Sequence, residues 1–188
     1  MADVQREIKM KRATGLLLHG ERVYLHRPTI DDAANVFYWE RDDEVWRYDL
    51  HRPYSHTMAE FLPMFKRNYI HGGGHQRWFI IEDEEHVPIG TITYFNVDTR
   101  LSQAEIGLGL GDKTRWGQGY GPDAIRTLVR YLFTFPHMVR VYAETAVANH
   151  PARRAFAKAG FVEVGQVFDP RSTGQPWLLL EIYRSNAR

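Results

Sequence analysis

The sequence predicts a mixed α/β domain with a mostly antiparallel central sheet and one parallel pair of strands. Three observations lead there. Seven strand-like segments alternate with four helical ones, and three of the strand-like runs follow one another as a meander. A helical stripe over 122–135 separates two further strand-like runs, the arrangement of a parallel crossover. No internal repeat, low-complexity tract or linker divides the 188 residues, which suffice for one hydrophobic core.

The elements follow in order. Residues 1–20 mix charge with a short apolar patch and read as an N-terminal extension, with a single domain over 21–188. In ERVYLHRP, Val23 and Leu25 alternate as a first strand that Pro28 ends. TIDDAANVFYWERDD predicts a short helix capped at Thr29, with Asp31 and Asp32 at the positive end of its dipole. In HTMAEFLPMFKRNYI, Phe61, Phe65 and Tyr69 share one helical face, Pro63 introduces a kink, and HGGGH stops the helix. RWFIIED and VPIGTITYFNVD are strands joined by a charged turn, and AEIGLGLGD is the next strand.

The crossover helix, expected to begin near Pro122, carries Ala124, Ile125, Leu128, Val129 and Leu132 on one stripe, and Pro136 ends it. VRVYAETAV is a strand and HPARRAFAKAG a helix stopped by Gly160. FVEVGQVF and PWLLLEIYR form a closing hairpin.

Composition narrows the function classes. The 24 basic residues are spread along a chain of net charge +1, which gives no nucleic-acid footprint. The absence of cysteine excludes a disulfide framework and a thiolate nucleophile. The longest apolar runs, such as LLL at 16–18, fall far short of a membrane span, and MADVQREIKMKR lacks the apolar stretch of a secretory signal; the expected location is cytoplasmic.

The most informative stretch is RWGQGYGPDAI, residues 115–125. A P-loop reading fails because Lys113 and Thr114 stand too far before the helix, and a dinucleotide fingerprint starting at Gly117 would need glycine where Pro122 stands. Two readings stay open: a fan of backbone N–H groups cradling a pyrophosphate at a helix start, or a tight strand-to-helix connection made by Gly117, Gly119 and Gly121.

AEIGLGLGDKTRWGQGYGPDAI followed by VYAETAVANHPARRAFAKAGF resembles the GCN5-related N-acetyltransferases, closest to their ribosomal-protein-acetylating and spermidine-acetylating type, over about residues 22–184. The resemblance implies a seven-stranded sheet whose parallel pair splays around acetyl-CoA, with helices on both faces. It implies pyrophosphate binding by amides around Trp116, Gly117, Gln118, Gly119, Tyr120 and Gly121, and a pantetheine arm beside Leu108, Gly109 and Leu110; Trp116 departs from the Arg or Gln common at the first motif position, and Arg115 beside it is the candidate to supply the phosphate charge instead. Asn149 would contact the cofactor near its thioester arm, a role that coexists with helix capping. No metal is implied, and relatives often dimerise. Ala152 and Phe156 occupy the cofactor-facing positions where many relatives carry a serine and a tyrosine that protonate the departing thiolate, so that general acid is missing here.

Acetyl transfer needs an amine without its extra proton and a stabilised carbonyl oxygen. Glu105 is the candidate base, against the plain reading of a solvated strand charge; Glu144 and His150 stand behind it. Trp39, Glu40, Asp42, Asp43, Glu44, Trp46 and Tyr48 form an aromatic and acidic stretch suited to a cationic small-molecule or peptide amine, such as a protein N-terminus, polyamine or aminoglycoside-like acceptor. His71 and His75 flank a flexible loop with no acidic triplet to complete a metal site, and HGGG is unaccompanied by a nucleophile elbow. An amine acetyltransferase and a catalytically weak acyl-CoA-binding module both remain.

Overall fold

A computed structural model describes residues 16–48, 55–72, 76–168 and 176–186. Among these residues, eight strands form one sheet in the order β1-β2-β3-β4-β5-β6-β8-β7. They are β1 (Leu17–His19), β2 (Tyr24–His26), β3 (Arg77–Glu82), β4 (Pro88–Asp98), β5 (Gln103–Leu110), β6 (Arg140–Ala146), β7 (Val162–Val167) and β8 (Trp177–Tyr183). All neighbours are antiparallel except β5 and β6. The helices are α1 (Ala33–Trp39), α2 (Met58–Phe65), α3 (Tyr120–Leu132) and α4 (His150–Lys158).

The sheet has one strand more than the seven expected. The additional β1 is only three residues long, too short for alternation to be read, and lies within the stretch taken as an extension. The first predicted helix divides into a 3-10 turn over Ile30–Asp32 and α1, because Asp32 turns its carboxylate back to accept from the Thr29 N–H at 2.7 Å. The second runs past Pro63 and widens into a π turn over Lys66–Ile70, which keeps Tyr69 stacked on Phe65. His75 and the glycines at 73 and 74 lie outside the described residues.

Alternation along β3 divides the core between the two faces of the sheet. Phe79 and Ile81 point into the larger cluster with Leu128 and Leu132 of α3 and Phe156 of α4, whereas Ile80 joins Val36, Phe61 and Phe65 under α1 and α2. Helix α4 ends in a Schellman motif: the Phe161 N–H reaches the Phe156 carbonyl and the Gly160 N–H that of Ala157, both at 3.0 Å. Gly160 takes φ +95°, and the rings of Phe156 and Phe161 meet edge to face.

The start of α3 is bound to the β1–β2 turn. Buried Asp123 accepts from the backbone N–H groups of Arg22 at 2.8 Å and Val23 at 3.1 Å. A Cβ at Gly20 would stand 2.4 Å from an Asp123 carboxylate oxygen. Gly20→Ala is therefore expected to destabilise the protein by about 1–3 kcal/mol, read as a fall in thermal midpoint of roughly 2–4 °C per kcal/mol; an unchanged midpoint would refute this junction.

A second joint ties β2 to the α1 entry. His26 lies 3.2 Å from Glu82 and 3.9 Å from Asp32, and His86 contacts Glu82 from the other side at 3.1 Å. Burial depresses the His26 pKa, but Glu82 and Asp32 outweigh it and the net direction is upward. Burial raises the Glu82 pKa, and the two histidines more than reverse it. A raised histidine contributes stability below its ordinary value, lost as pH rises through the folded one, so the thermal midpoint is expected to decline as pH rises above the ordinary histidine value of about 6.5. Glu82→Gln should flatten that slope, and a slope equally steep in the variant would exclude His26 as its source.

Candidate active site

The parallel pairing of β5 with β6 covers only Gln103↔Arg140, Ala104↔Val141 and Glu105↔Tyr142. Beyond Glu105 the strands part: β5 continues on β4 to Leu110, and β6 continues on β8 to Ala146. Among the described residues, the β6-facing edge of β5 thus has no strand partner from Ile106 onward, a gap open to an extended ligand arm. A cavity of about 580 Å³ adjoins this gap, within the range of small-ligand sites.

Leu108, Gly109 and Leu110 line one wall of this cavity, and the α3 start lines the next. Gly117 and Gly119 adopt φ +74° and +94°, a region closed to most side chains. Gly119 caps α3, placing the helix start at Tyr120, two residues before the expected point; Pro122 falls in the first turn, where an amide would have no acceptor. Among the described residues, the N–H groups of Gly117, Gln118 and Gly119 donate to no backbone carbonyl. Together with the unpaired first amides of α3, they form a concave set of donors at the positive end of a helix.

Arg22, which sequence reading passed over, holds this turn in place. Its guanidinium donates to the Gln118 carbonyl and to the Tyr120 hydroxyl at 3.0 Å, lies 4.3 Å from the Tyr120 ring centroid, and pairs with Glu84 at 2.6 Å. The Glu84 carboxyl is held down at about 2 by its own backbone N–H first, then by the Tyr120 hydroxyl and Arg22. Arg115 lines the cavity but pairs with buried Asp83 at 2.7 Å, so its charge is already partly neutralised. The Trp116 indole donates to the Leu110 carbonyl at 2.8 Å and closes the end of the exposed strand edge. The Gln118 side chain turns outward to the Thr114 carbonyl and does not line the cavity.

The third wall is α4. Asn149 is its N-cap, accepting from the Ala152 N–H at 3.2 Å and donating to Thr145 at 3.0 Å, which leaves one side-chain N–H unused at the cavity wall. Ala152 lines the cavity, whereas Phe156 is buried in the larger core and faces away from it. A tyrosine hydroxyl at 156 would be directed into apolar packing, so phenylalanine there is explained by the core.

Glu105 stands at the last residue pair before the strands part, outside the cavity lining. An irregularity in β4 between Phe95 and Asp98 puts Asn96 at φ +47°, and its amide donates to Glu105 at 2.8 Å. The opposite residue, Tyr142, has its pKa pushed up to about 12, by burial first and then by the charge and hydrogen bond of Glu105, with Glu144 adding to it. These groups were not grouped in the sequence because they come from three strands.

The aromatic and acidic stretch after α1 is mostly committed. Glu40 is buried and accepts from Tyr69, while Asp42 and Glu44 pair with Lys113 at 2.7 and 3.2 Å. Trp39 lies against Gly111, where a Cβ would approach it within 2.0 Å, and Trp46 covers Gly109. Glu44 and Tyr48 line the cavity, Asp43 is exposed, and His150 is exposed at the first turn of α4. Among the described residues no cluster of His, Asp and Glu has metal-site geometry, and no helix is long and apolar enough to cross a membrane.

A mixed sheet parted at its parallel pair, above an amide-rich helix start, defines a site class that takes an extended ligand arm together with an anionic group. Residues 22–162 match the family model described as an acetyltransferase (GNAT) domain, and the protein belongs to this family. An uncharacterized N-acetyltransferase, p20, of Bacillus licheniformis is 26% identical over 154 residues, spanning 81% of this chain and 85% of its own. Among solved structures, spermidine N-acetyltransferase from Vibrio cholerae, in complex with CoA and spermine, superposes with a TM-score of 0.75 at 21% identity, covering 88% of this chain and 97% of the other. An aminoglycoside acetyltransferase in complex with coenzyme A gives 0.73 at 22% identity, covering 87% and 96%.

Proposed function

We propose that the protein transfers an acetyl group from acetyl-CoA to a primary amine. The observation that carries this reading is the junction of the unpartnered β5 edge with the free amides at the α3 start. One feature accepts an extended amide-bearing arm and the other a pyrophosphate, the two parts of a coenzyme A molecule. Among the described residues that line the cavity, Arg154 and Lys158 add positive charge, while Arg47 and Arg115 are offset by Glu44 and Asp83.

Bound acetyl-CoA supplies a thioester carbonyl; the amine nitrogen bonds to its carbon, the C–S bond breaks, and the thiol leaves with a proton. The chain contributes position and proton handling. Gly117 to Gly121 hold the diphosphate, β5 backbone groups near Leu108 to Leu110 orient the arm and stabilise the carbonyl oxygen, and Asn149 presents an N–H beside it. Glu105, oriented by Asn96, takes the amine proton directly or through water where the strands part. Glu105 and Glu144 beside Tyr142 favour a cationic acceptor, and the spermidine and aminoglycoside enzymes of the same fold support polyamine or aminoglycoside-like amines.

The test measures coenzyme A release with spermidine, an aminoglycoside and a peptide with a free N-terminus. Turnover with at least one amine is expected. Tight acetyl-CoA binding with no turnover on the panel would favour an acyl-CoA-binding module, the reading to which the alanine at 152 lends weight.

A further inference from the structure

We propose that Arg154 and Lys158 form a separate cationic seat for the ribose phosphomonoester of coenzyme A. The inference rests on the coenzyme reading above and adds a subsite to it. Both residues line the cavity and are exposed. They are four apart on α4, so they share the face that carries Pro151 and Ala155.

That face meets the diphosphate cradle directly: a Cβ at Gly121 would lie 3.8 Å from that of Ala155. Arg154 adjoins this contact and Lys158 stands about 4.5 Å farther along the helix axis at three residues beyond Ala155. The Arg126 side chain donates to the Lys158 carbonyl at 3.3 Å, holding this end of α4 against α3.

Neighbouring arginines are already committed. Arg22 pairs with Glu84, Arg47 with Glu44, Arg115 with Asp83, and Arg153 with Glu163. Among the described residues, Arg154 and Lys158 have no carboxylate partner. The ligand chemistry matches this division. The diphosphate diester meets the amide fan of the α3 start, and the phosphomonoester adds a further charge of about −1.5 to −2 at pH 7, for which these two cations are the available counterpart. Lys158 also suits the negative end of the α4 dipole, but that role concerns stability and gives Arg154 no function.

The experiment compares coenzyme A with dephospho-coenzyme A by calorimetric titration of the wild-type protein and the Arg154→Ala/Lys158→Ala variant. Wild type is expected to bind coenzyme A roughly tenfold more tightly, with a steeper salt dependence. The double variant should bind the two almost equally, with dephospho-coenzyme A affinity and thermal midpoint unchanged. Arg154→Lys/Lys158→Arg should retain most of the preference. Equal wild-type affinities for both ligands, or an equal loss for both in the alanine variant, would overturn the seat while leaving the cradle intact. Binding of neither ligand to wild type would overturn the seat and the coenzyme reading together.

Discussion

Gly119→Glu is expected to abolish coenzyme A binding, with an affinity loss of at least about 100-fold, or roughly 2.7 kcal/mol. The carboxylate would enter the concavity formed by free amides at the α3 start, satisfying those donors internally and repelling a diphosphate. The space permits it: a Cβ at Gly119 meets only the Arg22 guanidinium, at 3.9 Å. A second contribution comes from the backbone, because φ +94° costs a non-glycine residue about 1–2 kcal/mol. Gly119→Asn separates the two, since asparagine tolerates the left-handed region and carries no charge. The asparagine variant should retain most of the affinity and the glutamate variant none, with both folded by circular dichroism. Wild-type affinity in Gly119→Glu would remove the diphosphate from this turn.

The second large effect is expected for Glu105→Gln. Loss of a general base lowers kcat by about 10²–10⁴-fold, while the coenzyme A affinity stays unchanged because Glu105 stands outside the cavity lining. The substitution is nearly isosteric and can retain a polar contact to Asn96, so the structural perturbation is small. Removing the charge also releases one of the causes that raise the Tyr142 pKa, which should move down from about 12. A wild-type rate with a reactive amine across the pH range would exclude Glu105 as the base.

Much of the fold was legible because its signals are local. The apolar stripe of α3, the Asn149 cap and the Gly160 stop each depend on residues within one or two turns, and each stands where the pattern put it. The three-residue β1 gives too little alternation to read, and it exists through pairing with β2. The start of α3 was misplaced by two residues because Pro122 looked like a first helical residue, whereas the left-handed Gly119 defines the cap.

At the site, the glycine turn and the β5 wall were legible as a consecutive motif. Arg22 and Glu84, which brace that turn, are separated from Tyr120 by 98 and 36 positions, and no local pattern joins them. The fate of Glu40 was hidden for the same reason: its partner Tyr69 belongs to another helical segment.

Lys113 holds Asp42 and Glu44 across solvent-exposed contacts, and this bridge fastens the segment after α1 to the loop after β5. Attraction of that kind fades as ionic strength rises and involves neither hydrophobic cluster. Added salt is therefore expected to loosen this one tie, while the packing of Trp39 on Gly111 and of Trp46 on Gly109 keeps the segment seated.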